Sequence, residues 1–316
     1  MDKRFERINK TYSDIKSIKI QGATNIAKYA ILALHDSILK NKFEDKRDFK
    51  NFFIKACKKI EKARPTEPML FNGIKYCLYI LNENESKDLK YLKKDVVNAT
   101  EFYLDLIVDA SARVIKNGIK IIKDNDTILT HCHSSSVVKT LILAKNSGKK
   151  FEVINTETRP LFQGRLTAVE LHENNIKFMM VIDSEAPYFI SPASGKEYEV
   201  EKVLIGCDAI GMSGSIINKT GSYSIALAAK AFKKPLYISG TLLKCDVNDN
   251  IPVESRDFKE IWEKAPKDIK ILNFAFDLVP TEYITGIITE FGIIKPKDIK
   301  KVVKQKYPWM FKESIK

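Results

Sequence analysis

The spacing of apolar residues along the chain changes near Gly118. Before that point, apolar side chains recur three, four and seven residues apart, which is the period of an amphipathic α-helix. Helices are predicted over residues 23–39 and 48–63, with a long one over residues 86–118 that ends at a helix-terminating glycine. The sequence therefore predicts an N-terminal helical domain over residues 1–118.

After Gly118, short apolar runs alternate with helical stretches. Strands are predicted over residues 127–130, 151–155, 177–182, 202–205 and 235–239, helices near 135–145, 163–173 and 217–232, and a polar surface loop over 191–199. Strands that alternate with helices form right-handed crossovers and a parallel sheet covered on both faces. The predicted fold class is α/β, in which the helical domain is followed by a parallel α/β domain over residues 119–316.

Polar side chains follow the predicted strands at their carboxyl ends. The four groups are His131-Cys132-His133-Ser134, Thr156-Glu157-Thr158-Arg159, Asp183-Ser184 and Cys207-Asp208. In open parallel sheets, ligands bind beyond the carboxyl ends of the strands. We therefore expect these loops to build a site for a small phosphorylated molecule.

Length and composition place the chain among soluble globular proteins. Its 316 residues favour two domains, with 44% hydrophobic and 29% charged residues. No run approaches the roughly 18 to 20 apolar residues of a membrane helix, so no membrane partner is expected. The amino terminus has no apolar core after its charges, which argues against a signal peptide and for a cytoplasmic protein. The five cysteines are then expected to be reduced thiols.

The net charge of +13 raises the question of a nucleic-acid partner. The lysines are spread along the whole chain, whereas a nucleic-acid binder concentrates them on one face or in a known motif. A solvated, lysine-rich surface is the favoured interpretation, and no nucleic-acid partner is predicted.

Cys132 is a candidate nucleophile or base because it follows an apolar strand and precedes three serines that open a helix. The amide groups of a helix N-terminus suit a phosphate, and the same field, with His131 and His133 nearby, is expected to lower the pKa of the thiol. The alternative is a buried cysteine that packs as a small hydrophobic residue. A metal site is disfavoured because adjacent strand residues point to opposite faces.

Asp208 ends another strand, where partial burial would suit a general acid, although a turn or helix-capping aspartate is equally consistent. Residues 218–222 open a predicted helix with Lys219, which predicts a phosphate-binding element. The chain has neither a GxxxxGK[ST] P-loop nor a GxGxxG motif, so a dinucleotide is not indicated. Arg64 and Arg159 each precede a proline and offer a fork for phosphate or carboxylate, or for an interdomain ion pair.

A set of short motifs extends these candidates over nearly the whole chain. They are Gln21-Gly22-Ala23, Arg64-Pro65-Thr66 with Asn72, Thr130-His131-Cys132, Glu157-Thr158-Arg159-Pro160 with Gln163-Gly164, Gly206-Cys207-Asp208, Asn218-Lys219-Thr220-Gly221, Phe276-Asp277-Leu278-Val279-Pro280 and Ile288-Thr289-Glu290-Phe291-Gly292. Each is weak alone, but their order and spacing are specific. Together they resemble the initiation factor 2B α/β/δ-related family, and within it the archaeal ribose-1,5-bisphosphate isomerases, cousins of methylthioribose-1-phosphate isomerase.

The resemblance implies a helical N-terminal domain followed by a Rossmann-like catalytic domain over residues 119–316. It also implies an aldose–ketose isomerase of a sugar 1-phosphate in AMP metabolism, with ribose 1,5-bisphosphate converted to ribulose 1,5-bisphosphate. It implies Cys132 as proton acceptor, Asp208 as proton donor, no cofactor or metal, and a homo-oligomer (a dimer or a trimer of dimers). The positions that it assigns to the substrate are Gln21, Gly22, Ala23, Thr24, Arg64, Ser134, Ser135, Ser136, Asn218, Lys219 and Lys244.

The chain departs from the family pattern at several positions. Gln21 stands where the isomerases usually have arginine, His133 replaces the usual asparagine, and Glu67-Pro68 replaces small apolar residues. Residues 191–199 look like an insertion. The rival hypothesis is a non-catalytic regulatory protein, either a translation initiation factor 2B-like subunit or a nucleotide sensor. The pair Cys132 and Asp208 favours the enzyme, because such regulatory subunits generally lack it.

Overall fold

The computed structural model describes residues 2–249 and 254–312, and its internal contacts divide the chain into two units. The first unit holds the chain up to Asp109, the segment Leu243–Val247 and the chain from Lys301. The second unit holds Ala110–Leu242 and Asn248–Lys300. This division differs from the predicted boundary at residue 118, and the difference has a structural origin.

The first unit is built from helices whose apolar faces form its core. They are α1 (Glu6–Lys16), α2 (Ala23–Lys40), α3 (Lys46–Glu61), α4 (Pro68–Glu83) and the first two thirds of α5 (Leu89–Gly118). Ile31, Phe49 and Tyr103 are fully buried, and the Tyr103 hydroxyl donates to the carbonyl of Met69 at 2.7 Å. Among the described residues, none of the helices is both long and apolar enough to cross a membrane.

Two later segments join this unit through hydrogen bonds from α4. The Asn72 amide donates to the carbonyls of Leu243 and Cys245, both at 2.8 Å, and the Lys75 ammonium donates to the carbonyl of Met310 at 2.7 Å. These contacts join positions more than 170 residues apart, so no local pattern could indicate them. Because α5 also runs without a break through Asp109, its helical period hides the boundary.

The second unit is a Rossmann-like α/β domain, and the predicted fold class is confirmed. Its main sheet has the strand order β11-β10-β7-β4-β1-β2-β3, parallel except for the last pair β10–β11. The strands are β1 (Asp126–Thr130), β2 (Phe151–Thr156), β3 (Phe178–Val181), β4 (Lys202–Gly206), β7 (Leu236–Ser239), β10 (Gly286–Thr289) and β11 (Gly292–Ile294). The helices are α6 (Ser135–Asn146), α7 (Gln163–Glu173), α8 (Ala186–Ile190), α9 (Ser222–Ala231) and α10 (Ile299–Lys306), which continues into the first unit.

The chain reverses its direction of travel across this sheet between β1 and β4. From β1 it proceeds through β2 to β3, and from β4 it proceeds through β7 to β10 on the other side. The carboxyl ends of the two strands at such a reversal border a crevice, which is where open α/β sheets bind ligands. Cys132 follows the end of β1, and Asp208 follows the end of β4, so both predicted site residues border this crevice.

The predicted helix over residues 217–232 is wrong in its first part. Residues Ile216–Lys219 form strand β6, which pairs antiparallel with β5 (Ala209–Gly211) and β9 (Phe276–Val279) in a small second sheet. Gly221 has φ = 103° and separates this strand from α9. A glycine in this conformation ends the strand, because the left-handed region is costly for other residues.

Two smaller expectations also differ from the structure. Gly118 was expected to terminate the long helix, but it has the ordinary helical φ of −64°. Its lack of a side chain instead permits close packing, since a Cβ there would lie 2.7 Å from the Thr140 side chain. The predicted surface loop over residues 191–199 turns two serines inward. Ser191 and Ser194 are buried, and the Ser191 hydroxyl donates to the carbonyl of Tyr188 at 2.7 Å.

The pair Lys202 and Asp126 makes a testable contribution to stability at the amino ends of β1 and β4. Both side chains are buried, and the Lys202 ammonium also donates to the carbonyl of Ile121 at 2.9 Å. Lys202→Met leaves the Asp126 charge buried without its partner, so we expect the free energy of unfolding to fall by about 3–5 kcal/mol. The control is Lys177→Met, which breaks a solvent-exposed pair with Glu152 and should leave denaturant unfolding nearly unchanged. Equal effects of both substitutions would contradict a structural role for the buried pair.

Candidate active site

Cys132 and Asp208 lie in the two loops that border the crevice between β1 and β4. Both residues are half-buried. The Asp208 amide donates to the carbonyl of Ile217 at 2.8 Å, which fixes the loop after β4. Gly206 permits close contact between the loops, because a Cβ there would lie 2.6 Å from the Cβ of Ser134. The Asp208 carboxylate is near enough to act on the Cys132 thiol electrostatically.

The pKa of the Cys132 thiol is raised, contrary to the expectation of a lowered pKa. Burial raises its pKa to about 12, and the charges of Asp208 and Asp183 act in the same direction. Lys219 opposes this effect, as does the hydrogen bond from the His133 amide. Burial disfavours a thiolate unless cations compensate, and here the compensation is incomplete.

The two neighbouring histidines explain why the compensation is incomplete. Burial lowers the pKa of His131 and of His133, so neither imidazole adds a positive charge beside the thiol at neutral pH. The His131 Nε2 lies 2.8 Å from the carbonyl of Thr220 and therefore carries the proton. Helix α6 begins at Ser135, three residues beyond Cys132, so the field of its N-terminus acts on the thiol from a distance.

Lys219 places a positive charge in the same site, and none of the described residues serves as its counter-ion. Its side chain is only 8% exposed, and its Nζ lies 4.9 Å from the centroid of the Phe276 ring. Within the described ranges, no carboxylate or other acceptor bonds to this ammonium. The Lys219 charge lowers the pKa of Glu260, but that carboxylate is held by Arg256 at 2.6 Å. A buried, unpaired cation is costly, and an anionic ligand would remove that cost.

The predicted phosphate-binding element at residues 218–222 needs correction. The amides of Gly221 and Tyr223, at the N-terminus of α9, donate to the Asp277 carboxylate at 2.7 and 3.0 Å. The Thr220 hydroxyl donates to the same carboxylate at 3.1 Å. The Asp277 carboxylate therefore occupies two of the amides that were expected to bind a phosphate, whereas the Lys219 side chain stays a predicted ligand contact.

Asn218 supports the turn that carries Lys219. The Asn218 amide donates to the Ser222 hydroxyl at 2.8 Å, and that hydroxyl donates to the Lys219 carbonyl at 2.6 Å. Both Asn218 and Ser222 are buried. These bonds fix the turn between β6 and α9, so the Asn218 side chain positions the lysine whatever else it contacts.

The N-terminus of α6 is open, in contrast to that of α9. Ser134 is the N-cap residue, but its side chain makes no capping hydrogen bond. Its hydroxyl lies 3.1 Å from that of Ser136, which in turn accepts from the Ser239 hydroxyl at 2.9 Å. Ser135 is exposed. The first-turn amides of this 12-residue helix are therefore the backbone groups of the second unit best placed for an anion.

The remaining predicted site residues lie in the first unit. Gln21, Gly22, Ala23 and Thr24 form the start of α2, with Gly22 as an N-cap that has no side chain to cap the helix. Arg64 follows α3, and its Nε lies 3.5 Å from the buried carboxylate of Glu67. Lys244 is half-buried in the segment Leu243–Val247. Arg159, in the second unit, donates to the carbonyl of Ile261 at 3.2 Å and makes no ion pair there.

Several residues around the site were not singled out in the sequence analysis. Asp277 closes the N-terminus of α9, Asp183 accepts from the amides of Thr158 and Arg159, and Thr167 donates to the carbonyl of Cys132 at 3.1 Å. Asp183 stood among the polar strand-end residues, and Asp277 lay within a family motif. Their roles depend on which loop each one faces, which only the folded sheet defines.

The protonated thiol gives a direct chemical test. With a pKa of about 12, Cys132 should react with iodoacetamide at pH 7.5 about a hundredfold more slowly than free cysteine, because its thiolate is scarce. Lys219→Met should slow the reaction further, since the cation that lowers the pKa is removed, whereas Lys230→Met on the surface should not. The four other cysteines are buried, so Cys132→Ser should abolish native labelling. Labelling as fast as that of free cysteine would contradict the raised pKa.

Comparison with known proteins agrees with the motif pattern. Residues 19–296 match the Initiation factor 2 subunit family. A ribose 1,5-bisphosphate isomerase from Methanocaldococcus jannaschii is 35% identical, over 96% of this chain and 97% of the relative. A 5-deoxyribose 1-phosphate isomerase from Clostridium botulinum is 32% identical, over 92% of this chain and 87% of the relative.

The fold agrees as well. The crystal structure of the translation initiation factor eIF-2B from Pyrococcus horikoshii OT3 superimposes with a TM-score of 0.78 and 25% identity, over 92% of this chain and 98% of that chain. Similar folds therefore occur in proteins named as isomerases and as translation factors. On the extent of the family match, this chain belongs to the Initiation factor 2 subunit family.

Proposed function

We propose that this protein is an aldose–ketose isomerase that acts on a sugar 1-phosphate and converts ribose 1,5-bisphosphate to ribulose 1,5-bisphosphate. The observation that carries the proposal is the unpaired, buried ammonium of Lys219 beside a thiol and a carboxylate. A buried cation without a counter-ion suits a phosphate. The thiol and the carboxylate supply the base and acid that isomerisation requires.

The reaction needs an acid and a base at once because phosphate blocks the anomeric oxygen of such a sugar. The Cys132 thiolate takes the proton from C2, the C1–O4 bond breaks, and O4 takes a proton from the Asp208 carboxylic acid. The product of this step is an enol with a C1–C2 double bond. The C2 hydroxyl then returns a proton to Asp208, and the Cys132 thiol gives its proton to C1, which yields the ketose and restores both side chains.

The mutual effect of Cys132 and Asp208 helps this step. Burial is the main cause of the raised pKa of the Cys132 thiol, and the Asp208 carboxylate raises this pKa further. When Asp208 carries the proton that it later donates, its own part of the raised pKa disappears. Protonation of the acid therefore favours ionisation of the base, so the two conditions for catalysis support one another. Lys219 acts in the same direction, because its positive charge lowers the pKa of the thiol.

A second substrate, 5-deoxyribose 1-phosphate, is favoured by the charges in the first unit. Gln21 is neutral where the isomerases usually have arginine, and the Arg64 Nε has the Glu67 carboxylate 3.5 Å away. Both features reduce the positive charge that a second phosphate would meet. A substrate with one phosphate needs less of that charge, and a relative at 32% identity bears the corresponding name.

Substitution of the proposed acid and base tests the activity. Cys132→Ser and Asp208→Asn should each lower kcat by about a hundredfold or more, because each removes one partner of the proton transfers. Ketose formation from ribose 1,5-bisphosphate and from 5-deoxyribose 1-phosphate is followed by NMR, with ribose 5-phosphate as the control sugar whose anomeric oxygen is free. Cys77→Ala, a buried cysteine in α4, is the matched control and should keep the wild-type rate.

The same experiment decides between the enzyme and the regulatory hypothesis. Turnover by Cys132→Ser at the wild-type rate would remove the thiol from the mechanism. If the wild-type protein neither converts nor binds any of the sugar 1-phosphates in calorimetry, the isomerase proposal fails and the non-catalytic hypothesis replaces it.

The substitution Gln21→Arg tests which sugar is the substrate. If the substrate carries a phosphate near position 21, the guanidinium adds a charged, bidentate contact, and kcat/KM should rise for ribose 1,5-bisphosphate. If the substrate is neutral at that end, an unpaired cation is desolvated, and kcat/KM should fall for 5-deoxyribose 1-phosphate. Gln21→Lys is the control for charge without the planar fork. An unchanged kcat/KM for both sugars would show that position 21 does not contact the ligand.

A further inference from the structure

Two residues of the site have backbone conformations that L-amino acids rarely adopt. Cys132 has φ = 66° and Thr158 has φ = 64°, both in the left-handed region. For a β-branched residue such as threonine this conformation is an outlier, and it persists only where the surroundings hold it. Thr158 is fully buried, so those surroundings can be identified.

Thr158 is held by Asp183, which follows β3. The Asp183 carboxylate accepts from the amide of Thr158 at 2.8 Å and from the amide of Arg159 at 2.6 Å. Two charge-assisted bonds to consecutive amides fix the direction of the chain at this point. The left-handed turn at Thr158 is therefore determined from outside, by a side chain from the neighbouring strand end.

Thr158 in turn holds the amide of Cys132. The Cys132 amide donates to the Thr158 hydroxyl oxygen at 2.9 Å. His131 Nε2 donates to the Thr220 carbonyl, so its Nδ1 accepts from the Thr156 hydroxyl at 2.6 Å. The Thr156 oxygen is then free to accept from the Thr158 hydroxyl at 3.3 Å. In this series of hydrogen bonds, each amide, hydroxyl or ring N–H therefore has a single acceptor.

A second threonine holds the carbonyl of Cys132. The Thr167 hydroxyl donates to the Cys132 carbonyl at 3.1 Å. The Thr167 oxygen also lies 3.1 Å from the His133 Nδ1, and the His133 Nε2 lies 3.5 Å from the Glu170 carboxylate. His133 therefore contacts Thr167, as His131 contacts Thr156.

We propose that Thr158 and Thr167 are positioning residues that hold Cys132 in its left-handed conformation and so direct its thiol toward the substrate. The proposal rests on the function proposed above, because it takes Cys132 as the base. A proton transfer depends steeply on the position of the base, and a displacement of about 1 Å costs about a hundredfold in rate. With both its amide and its carbonyl fixed, Cys132 cannot relax to an extended conformation that would point its thiol elsewhere.

The test compares removal and retention of each hydroxyl. Thr158→Val keeps the shape of the side chain and removes the oxygen, whereas Thr158→Ser keeps the oxygen. We expect Thr158→Val to lower kcat for the sugar 1-phosphate by about ten- to a hundredfold with KM within about twofold of wild type, and Thr158→Ser to stay within about threefold in both. The control is Thr100→Val, a buried threonine of α5 whose hydroxyl bonds only to the Val97 carbonyl of its own helix.

A second readout does not depend on the substrate. The rate constant for alkylation of Cys132 by iodoacetamide should differ by about fivefold or more between Thr158→Val and wild type, while Thr158→Ser and Thr100→Val match wild type. If wild-type protein converts no sugar phosphate, the proposed function fails, and this rate constant alone decides the positioning proposal.

If Thr158→Val does not fold, the same comparison at Thr167 tests the positioning proposal. Thr167→Val should lower kcat and change the alkylation rate, and Thr167→Ser should restore both. The positioning proposal is overturned if the valine variants keep wild-type kcat and alkylation rates. It is also overturned if the serine variants are as impaired as the valine variants, since the hydroxyl groups would then not be the cause.

Discussion

The carboxylate of Asp277 fixes the part of the second unit on which the candidate site depends. From β9 it accepts hydrogen bonds from the amides of Gly221 and Tyr223 and from the Thr220 hydroxyl. These bonds hold the turn in which the Thr220 carbonyl accepts from His131. Gly221 packs against the His131 ring, and a Cβ at this position would lie 3.0 Å from the ring carbon Cε1. Asp277 therefore adds to the bonds of Asn218 and Ser222, which hold Lys219, and to the bond of Thr156, which holds His131.

The same interaction explains the charge state of the site. Asp277 is the acidic residue bound at the turn of Lys219, and its oxygens are used by amides and a hydroxyl group, so the Lys219 charge remains for a ligand. Lys219 in turn contributes to the lowered pKa of His131 and opposes the raised pKa of Cys132. Burial is the main reason that the pKa of His131 is lowered, and the Lys219 charge acts in the same direction, while it helps the Cys132 thiol to ionise.

The sequence was most informative about polar residues that directly follow a predicted strand. Cys132 and Asp208 stood out because each follows the carboxyl end of a strand whose apolar pattern is local. Lys219 was predicted at the start of a helix, whereas the structure places it at the end of strand β6. The parallel sheet followed from the alternation of strands and helices. The reversal between β1 and β4, which brings Cys132 and Asp208 to one crevice, depends on strand order and could not be derived from the pattern.

What the sequence could not indicate depends on contacts between distant positions. The lowered thiol pKa was expected from neighbouring histidines, but their burial makes them neutral, and burial is a property of the folded domain. Two amides at the start of α9 were expected to bind a phosphate, but they donate to Asp277, 56 residues beyond Gly221. The helical unit also includes Leu243–Val247 through Asn72, across 171 residues.

Two groups of contacts around the site differ in what they imply about function. Asp277, Asn218 and Ser222 stabilise a turn, and they would do so equally in a protein that only binds an anion. The left-handed Cys132 is different, because a binding site gains nothing from holding a thiol in a strained backbone conformation. Hydrogen bonds maintain that conformation, and their side chains are those of Asp183, Thr158, Thr167 and His133. A carboxylate and a cation lie near the same thiol. A strained backbone conformation at a thiol, held by this many hydrogen bonds, is the strongest structural argument for an enzyme over a regulatory subunit.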